Sequence, residues 1–312
     1  MQNFNYRYAI TLILVMLAMA AGAGCSTTPG LPQQRSTVKN QATDHRGNAA
    51  RALQRNQLAE AEALYTSSLR LSSSIDHGPG IVQALSGIAE IRRRTGDFDN
   101  ASGLLQQAEA VALNRDLPDL LIRTRIGQAE VELARGRPEQ GLVLLQDLDE
   151  LTGSRTMEAA LLARTRGIAS RRLDRFDEAE QYLRQAAALA RRNDDLLAAA
   201  SAYYQLASVF ARQERLDDAR AYLMVALELD QQLENPGGIG ASLEALAAVA
   251  ARQGDTASQR QYLLRAYGVY SGIGDTSSLR RVQQRLLDDL AIELDISSQL
   301  SVWQQIMQSG DH

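Results

Sequence analysis

Small and large apolar positions return along this chain with a long period. The segments NQLAEAEALYTSSLRL, GDFDNASGLLQQAEAVA, GRPEQGLVLLQDLDEL, DRFDEAEQYLRQAAALA, ERLDDARAYLMVALEL and GDTASQRQYLLRAYGVY align without gaps. They start at Asn56, Gly96, Gly136, Asp174, Glu214 and Gly254, at spacings of 40, 40, 38, 40 and 40 residues. Seven positions before each start stands a small residue: Ala49, Ala89, Ala129, Gly167, Ala207 and Ala247. A second small column holds Ala61, Ala101, Gly141, Ala179 and Ala219, with Gln259 as the exception. Four positions later comes a large column, Tyr65, Leu105, Leu145, Leu183, Leu223 and Leu263. A small residue followed by a large one at i+4 lies on a single helical face. It lets a second, antiparallel helix approach closely while the large side chain fills the groove beside the crossing.

The pattern predicts paired helices at 47–55 and 57–73, 79–94 and 98–114, 118–134 and 138–150, 156–172 and 176–192, 196–212 and 216–233, and 238–252 and 256–271. A further helix near 276–292 closes the array. Breaks fall on turn chemistry such as His77-Gly78-Pro79-Gly80 and Asn235-Pro236-Gly237-Gly238. The Gly or Asn that opens a segment suits a left-handed helix end, and the acidic residues after it suit the next N-terminus. Leu294 to Met307, with Trp303 and Ile306, reads as a last amphipathic helix that either caps the solenoid or docks a partner.

Gly96-Asp97-Phe98, Ala101, Leu105 and Ala108 resemble the second half of the tetratricopeptide repeat, as do Phe176, Ala179, Leu183 and Ala186. The third and sixth repeats depart from it, with Pro138 and Thr256 at the aromatic position, and the period exceeds the usual unit. The resemblance implies an all-α fold, a right-handed α-solenoid of about six helix pairs plus C-terminal capping helices. It also implies a concave face, lined by the first helix of each pair, along which a protein or peptide partner lies. Carried onto this sequence, that face holds Gln83, Glu90 and Arg93, then Arg123 and Glu130, then Arg164 and Arg171, then Ser201, Tyr204, Gln205 and Ser208. Arg123, Arg164 and Arg171 suit carboxylates of an extended partner, and Tyr204 a flat amphipathic contact. The Lys and Asn with which some family members grip a C-terminal carboxylate are not reproduced.

The amino-terminal region reads differently. Ala9 to Ala23 is charge-free and apolar, shorter than the roughly 17–25 residues of a comfortable membrane span and suited to a secretory signal. Gly22-Ala23-Gly24-Cys25 resembles a bacterial lipobox, although Gly22 stands where that family usually has Leu. The resemblance implies lipidation at Cys25, and Ser26 after it resembles the pattern exported to the outer membrane. Cleavage after Ala23 at an A-x-A site is the alternative. The resulting organisation is a signal peptide at 1–24, a lipidated cysteine and flexible tether at 25–46, a repeat solenoid at 47–292 and a C-terminal helix and tail at 293–312.

Composition narrows the chemistry. The chain of 312 residues carries 33 basic and 37 acidic side chains, a net charge of −4 that offers nucleic acid no general attraction. A lone cysteine excludes an internal disulfide framework, and no Cys/His spacing suggests a metal. His45 falls in the tether, His77 in a turn and His312 at the end, so none stands beside a nucleophile. No phosphate loop occurs and no cofactor is implied. Lys39 is the only lysine, and the abundance of arginine reads as coding bias on solvated faces. Together with these features, the repeat and lipobox resemblances imply a non-enzymatic, outer-membrane-anchored scaffold facing the periplasm. It would bind another protein in envelope assembly, such as secretion, pilus biogenesis or protease regulation. A self-associating structural subunit, or an envelope enzyme or glycan carrier, is the alternative.

Overall fold

The computed structural model describes residues 37–153 and 156–292. Cys25, the signal segment, most of the tether, His312 and the Trp303 segment lie outside the described residues. Among those described, the chain forms thirteen α-helices and no strand, an all-α solenoid. The pairs are α1 (Thr37–Gln54) with α2 (Leu58–Ser74), α3 (Gly78–Arg94) with α4 (Phe98–Asn114), and α5 (Pro118–Ala134) with α6 (Pro138–Leu144). They continue as α7 (Met157–Arg172) with α8 (Phe176–Arg192), α9 (Leu196–Arg212) with α10 (Leu216–Gln232), and α11 (Pro236–Arg252) with α12 (Thr256–Gly272). The last helix among the described residues is α13 (Thr276–Leu290).

The residue columns explain this stacking. Ala49, Ala89, Ala129, Ala207 and Ala247 are buried, as are Ala61, Ala101, Ala179 and Ala219, so each helix pair closes over a methyl group. The large column, Tyr65 through Leu263, is buried beside them. Gly167 has no room even for a methyl: a Cβ there would stand 2.5 Å from Leu183 Cγ. The turns inside the pairs all use a positive φ, at Asn56, Gly96, Gly136, Asp174, Glu214 and Gly254, which are the six segment starts. At Gly96 the following amide, Asp97 N, reaches back to Arg92 O at 2.9 Å, closing the helix end. α13 buries Leu279, Val282 and Leu286 against the sixth pair, and its exposed face is polar apart from Leu287.

Two boundaries differ from the sequence expectation by more than two residues. α1 begins at Thr37, so 37–46 is helix rather than tether, and His45 belongs to it. Its buried face is made of Ala42, Ala49 and Ala52, too small to register as an apolar stripe, and Ser68 Oγ donates to Ala42 O at 2.8 Å. α6 stops at Leu144 instead of 150 and passes into a 3-10 turn at Gln146–Leu148. That turn rotates Leu148 into the core and leaves Val143 exposed.

Arginine has a repeated structural role. Arg94 donates to Leu53 O at 3.1 Å, Arg212 to Arg171 O at 3.4 Å, Arg252 to Ala211 O at 2.6 Å and Arg285 to Glu244 O at 3.3 Å; Arg172 does the same to Leu133 O. Each guanidinium reaches the preceding repeat, and four of the five carbonyls lie in the last turn of that repeat's first helix, where each already accepts the amide three residues on and the negative end of the dipole favours a cation as second donor. Coding bias is therefore an insufficient account of these side chains.

Candidate binding groove

The first helices of the pairs line two adjoining cavities. One, of about 430 Å³, is bounded by Ser86, Glu90 and Arg93 of α3, Arg123, Ile126 and Glu130 of α5, and Leu161 and Arg164 of α7. The other, of about 660 Å³, shares Leu161 and Arg164 and continues along Ser201 and Tyr204 of α9 to Ser242 of α11 and Arg281 of α13. Its far wall comes from the first repeats, through Gln54, Asn56 and Arg94. The turn after α1 thus faces the turns that precede α11 and α13. The carbonyl of Gln54 would lie 2.6 Å from a Cβ on Gly237, so the close approach requires glycine there.

Of the expected groove residues, Glu90, Arg93, Arg123, Glu130 and Arg164 line the first cavity, and Arg164, Ser201 and Tyr204 the second. Gln83, Arg171, Gln205 and Ser208 line neither and are half-buried on α3, α7 and α9.

Most charges on this face are already neutralised. Arg93 binds Glu90 through two nitrogens, each at 2.7 Å, and Arg94 binds the same carboxylate at 2.7 Å. Burial opposes ionisation of Glu90, but the hydrogen bonds and charges of Arg93 and Arg94 outweigh it and hold its carboxyl below the usual range. Arg123 pairs with Glu158 at 2.8 Å. Arg164 spans three repeats, bonding Glu130 at 2.7 Å and Ser201 Oγ at 3.2 Å. Arg281 grips Glu244 at 2.7 and 3.0 Å, and Tyr270 donates to the same carboxylate at 2.8 Å.

Arg171 is the exception. Its Nε is buried and bonds nothing among the described residues, and its guanidinium forms no ion pair there. Burial, then the charges of Arg172 and Arg212, lower its pKa, while Tyr204 counteracts them. Tyr204 is raised by burial and by Glu244 against the pull of Arg171 and Arg281. A desolvated cation beside a phenol is an arrangement that an incoming carboxylate or phosphate would satisfy.

Glu244, Asp230, Ser242, Tyr270 and Arg281 escaped the sequence reading. Glu244 was within reach of it, because it lies forty positions after Tyr204 in the same register. His77, expected in a turn, accepts from Gly80 N at 3.1 Å as the cap of α3. Among the described residues no cluster of three or more His, Cys, Asp or Glu forms a metal cage, and no helix is long and apolar enough to cross a membrane.

Two models described as Tetratricopeptide repeat match the chain, at residues 84–119 and 156–232. No curated protein matches it in sequence. Among solved structures, BtubC (BKLC) from P. vanneervenii is 20% identical, with 77% of this chain and 93% of that one covered at a TM-score of 0.53. A Rap protein complexed with Competence and Sporulation Factor is 14% identical, over 80% and 74% of the two chains, at a TM-score of 0.59. The Cut9-Hcn1 hetero-tetramer of APC/C aligns at 15% identity and a TM-score of 0.52, over 87% of this chain and 45% of that one. At these identities the likeness is one of fold.

Proposed function

Because the chain is a tetratricopeptide-repeat protein, we propose that it works as a scaffold, holding a segment of another protein along the inner face of its first helices. The observation that carries this reading is the continuity of that face. Cavities of about 430 and 660 Å³ adjoin across Arg94, Leu161 and Arg164, so hollows follow one another along the first helices where an extended polypeptide would lie. The Rap protein of similar fold is itself complexed with the Competence and Sporulation Factor, which favours a bound partner for this architecture.

Arg123 and Arg164 spend their charge inside the fold, so Arg171, which lies on α7 outside both cavities but interacts electrostatically with Tyr204 of the larger one, is the anchor for an acidic group of the partner. The apolar segment Ala9–Ala23 followed by Cys25 supports lipid anchoring at the outer membrane, facing the periplasm. Confinement there would raise the effective concentration of the groove toward envelope partners in secretion, pilus biogenesis or protease regulation.

Crosslinking and recovery of partners from membranes tests the scaffold. Arg171→Glu is expected to abolish recovery of a partner captured by the unmodified chain, and undiminished recovery from the folded variant would remove Arg171 as the anchor. Cys25→Ser is expected to release the protein from the membrane fraction, and continued attachment would overturn the lipid anchor.

A further inference from the structure

Asp230 lies in the last turn of α10, where the helix dipole opposes a negative charge, yet it is only 5% exposed. One hydrogen bond reaches it, from Asn235 Nδ2 at 2.7 Å, and no cation pairs with it among the described residues. Room for the carboxyl exists because residue 238 is glycine; a Cβ there would collide with it. One turn further on α11, the Ser242 hydroxyl is fully buried, has no partner among the described residues, and lines the same cavity of about 660 Å³. The other charged groups of that cavity are accounted for. Arg94, Arg164 and Arg281 hold Glu90, Glu130 and Glu244. Asp195 and Asp275 cap α9 and α13 through Ala198 N and Ser278 N, a position where a carboxylate is stabilised.

Building on the scaffold reading, we propose that this cavity receives a basic side chain of the bound polypeptide, its ammonium or guanidinium donating to Asp230 and Ser242. A buried carboxylate with one neutral donor and a buried hydroxyl with none are both completed by a group that carries several N–H donors and a positive charge. Burial, opposed only in part by the Asn235 hydrogen bond, holds the Asp230 carboxyl above the usual range, and an arriving cation reverses that penalty. The partner segment is then zwitterionic: an acidic group near Arg171 and a basic one near Asp230.

Fluorescence anisotropy with the purified full chain and a labelled, end-blocked hexalysine peptide tests the cavity. Asp230→Asn is expected to weaken binding about tenfold and Ser242→Ala a few-fold, while Asp147→Asn, at an exposed carboxylate outside the cavity, changes nothing. Equal effects at Asp230 and Asp147, or no effect at either, overturn the proposal. Ser242→Ala removes a single buried hydroxyl and keeps the test standing if Asp230→Asn fails to fold. Membrane crosslinking separates the two readings. A partner recovered equally by the unmodified chain and by Asp230→Asn sinks the basic-group site and leaves the scaffold. Recovery of no partner at all, with hexalysine binding still dependent on Asp230, sinks the scaffold and leaves the site.

Discussion

Asn56 donates its side-chain amide to Asp275 Oδ1 at 3.1 Å, although 219 positions separate the two residues. The same amide reaches Ser277 Oγ at 3.2 Å. Asn56 holds a positive φ of 58° in the turn after α1, a conformation that Asn tolerates better than most residues. Asp275, for its part, caps α13 through Ser278 N at 3.1 Å. One carboxylate therefore both starts the last helix and receives the first repeat. The larger cavity is walled on that side by Gln54 and Asn56, so the contact decides how enclosed the groove is.

Asn56→Gly keeps the backbone conformation and removes the amide. It is expected to cost about 1 kcal/mol and to speed hydrogen exchange in the first turn of α13. Exchange there unchanged from the unmodified protein would show that the closure does not depend on this side chain.

The helix-pair contacts predict opposite outcomes for two glycines. Gly167→Ala places a methyl 2.5 Å from Leu183 Cγ and 3.3 Å from Ala179 O, so overpacking should cost about 1–3 kcal/mol despite the better helix propensity of alanine. Gly103 in α4 has nothing within 4 Å of its prospective Cβ, and Gly103→Ala should gain about 0.5–1 kcal/mol. Thermal melting of both variants checks the pair, and a stabilised Gly167→Ala would contradict the close approach of α7 and α8.

The architecture was legible because its contacts repeat. Ala179 and Leu183 do in the fourth pair what Ala101 and Leu105 do in the second, so alignment of the chain with itself exposes the packing. The start of α1 was hidden because alanine alone forms its buried face and the residues between are polar. The end of α6 was hidden for the opposite reason. Leu142 through Leu145 and Leu148 keep a helical apolar rhythm, yet Leu148 enters the core from a 3-10 turn. The 38-residue spacing to the next segment is the trace that this irregularity left. The groove was legible as a face but its charge state was not. Pairs such as Arg123 with Glu158 form between neighbouring repeats through long side chains, and no column of identical residues announces them.

Arg164 and Arg171 should separate on removal. Arg164→Ala strips the half-buried Glu130 of its 2.7 Å partner and Ser201 of a donor, and is expected to cost about 1 kcal/mol. Arg171→Ala breaks no ion pair among the described residues and relieves a desolvated cation, so stability should hold or rise slightly while partner binding falls. Urea denaturation of the two variants decides it, and a larger loss from Arg171→Ala would show that a hidden partner neutralises that guanidinium within the fold.

The buried Asp230 sets a pH signature whose sign is fixed by its surroundings. Burial raises its pKa in the folded chain, and the Asn235 hydrogen bond recovers only part of the shift. The native state therefore holds this proton more tightly than the unfolded chain does. Its contribution to stability is complete below the unfolded value of about 3.9 and is lost as pH climbs through the folded pKa. Asn at this position cannot ionise, so Asp230→Asn should melt alongside the unmodified protein near about pH 3.5 and above it by on the order of 2 °C at neutral pH. A difference in melting temperature that narrows with rising pH would place a cation beside Asp230 inside the fold and remove the vacancy that a basic side chain is expected to fill. A difference that widens, together with weaker hexalysine binding by the same variant, would mean that the fold carries an unfavourable buried charge whose compensation arrives with the partner.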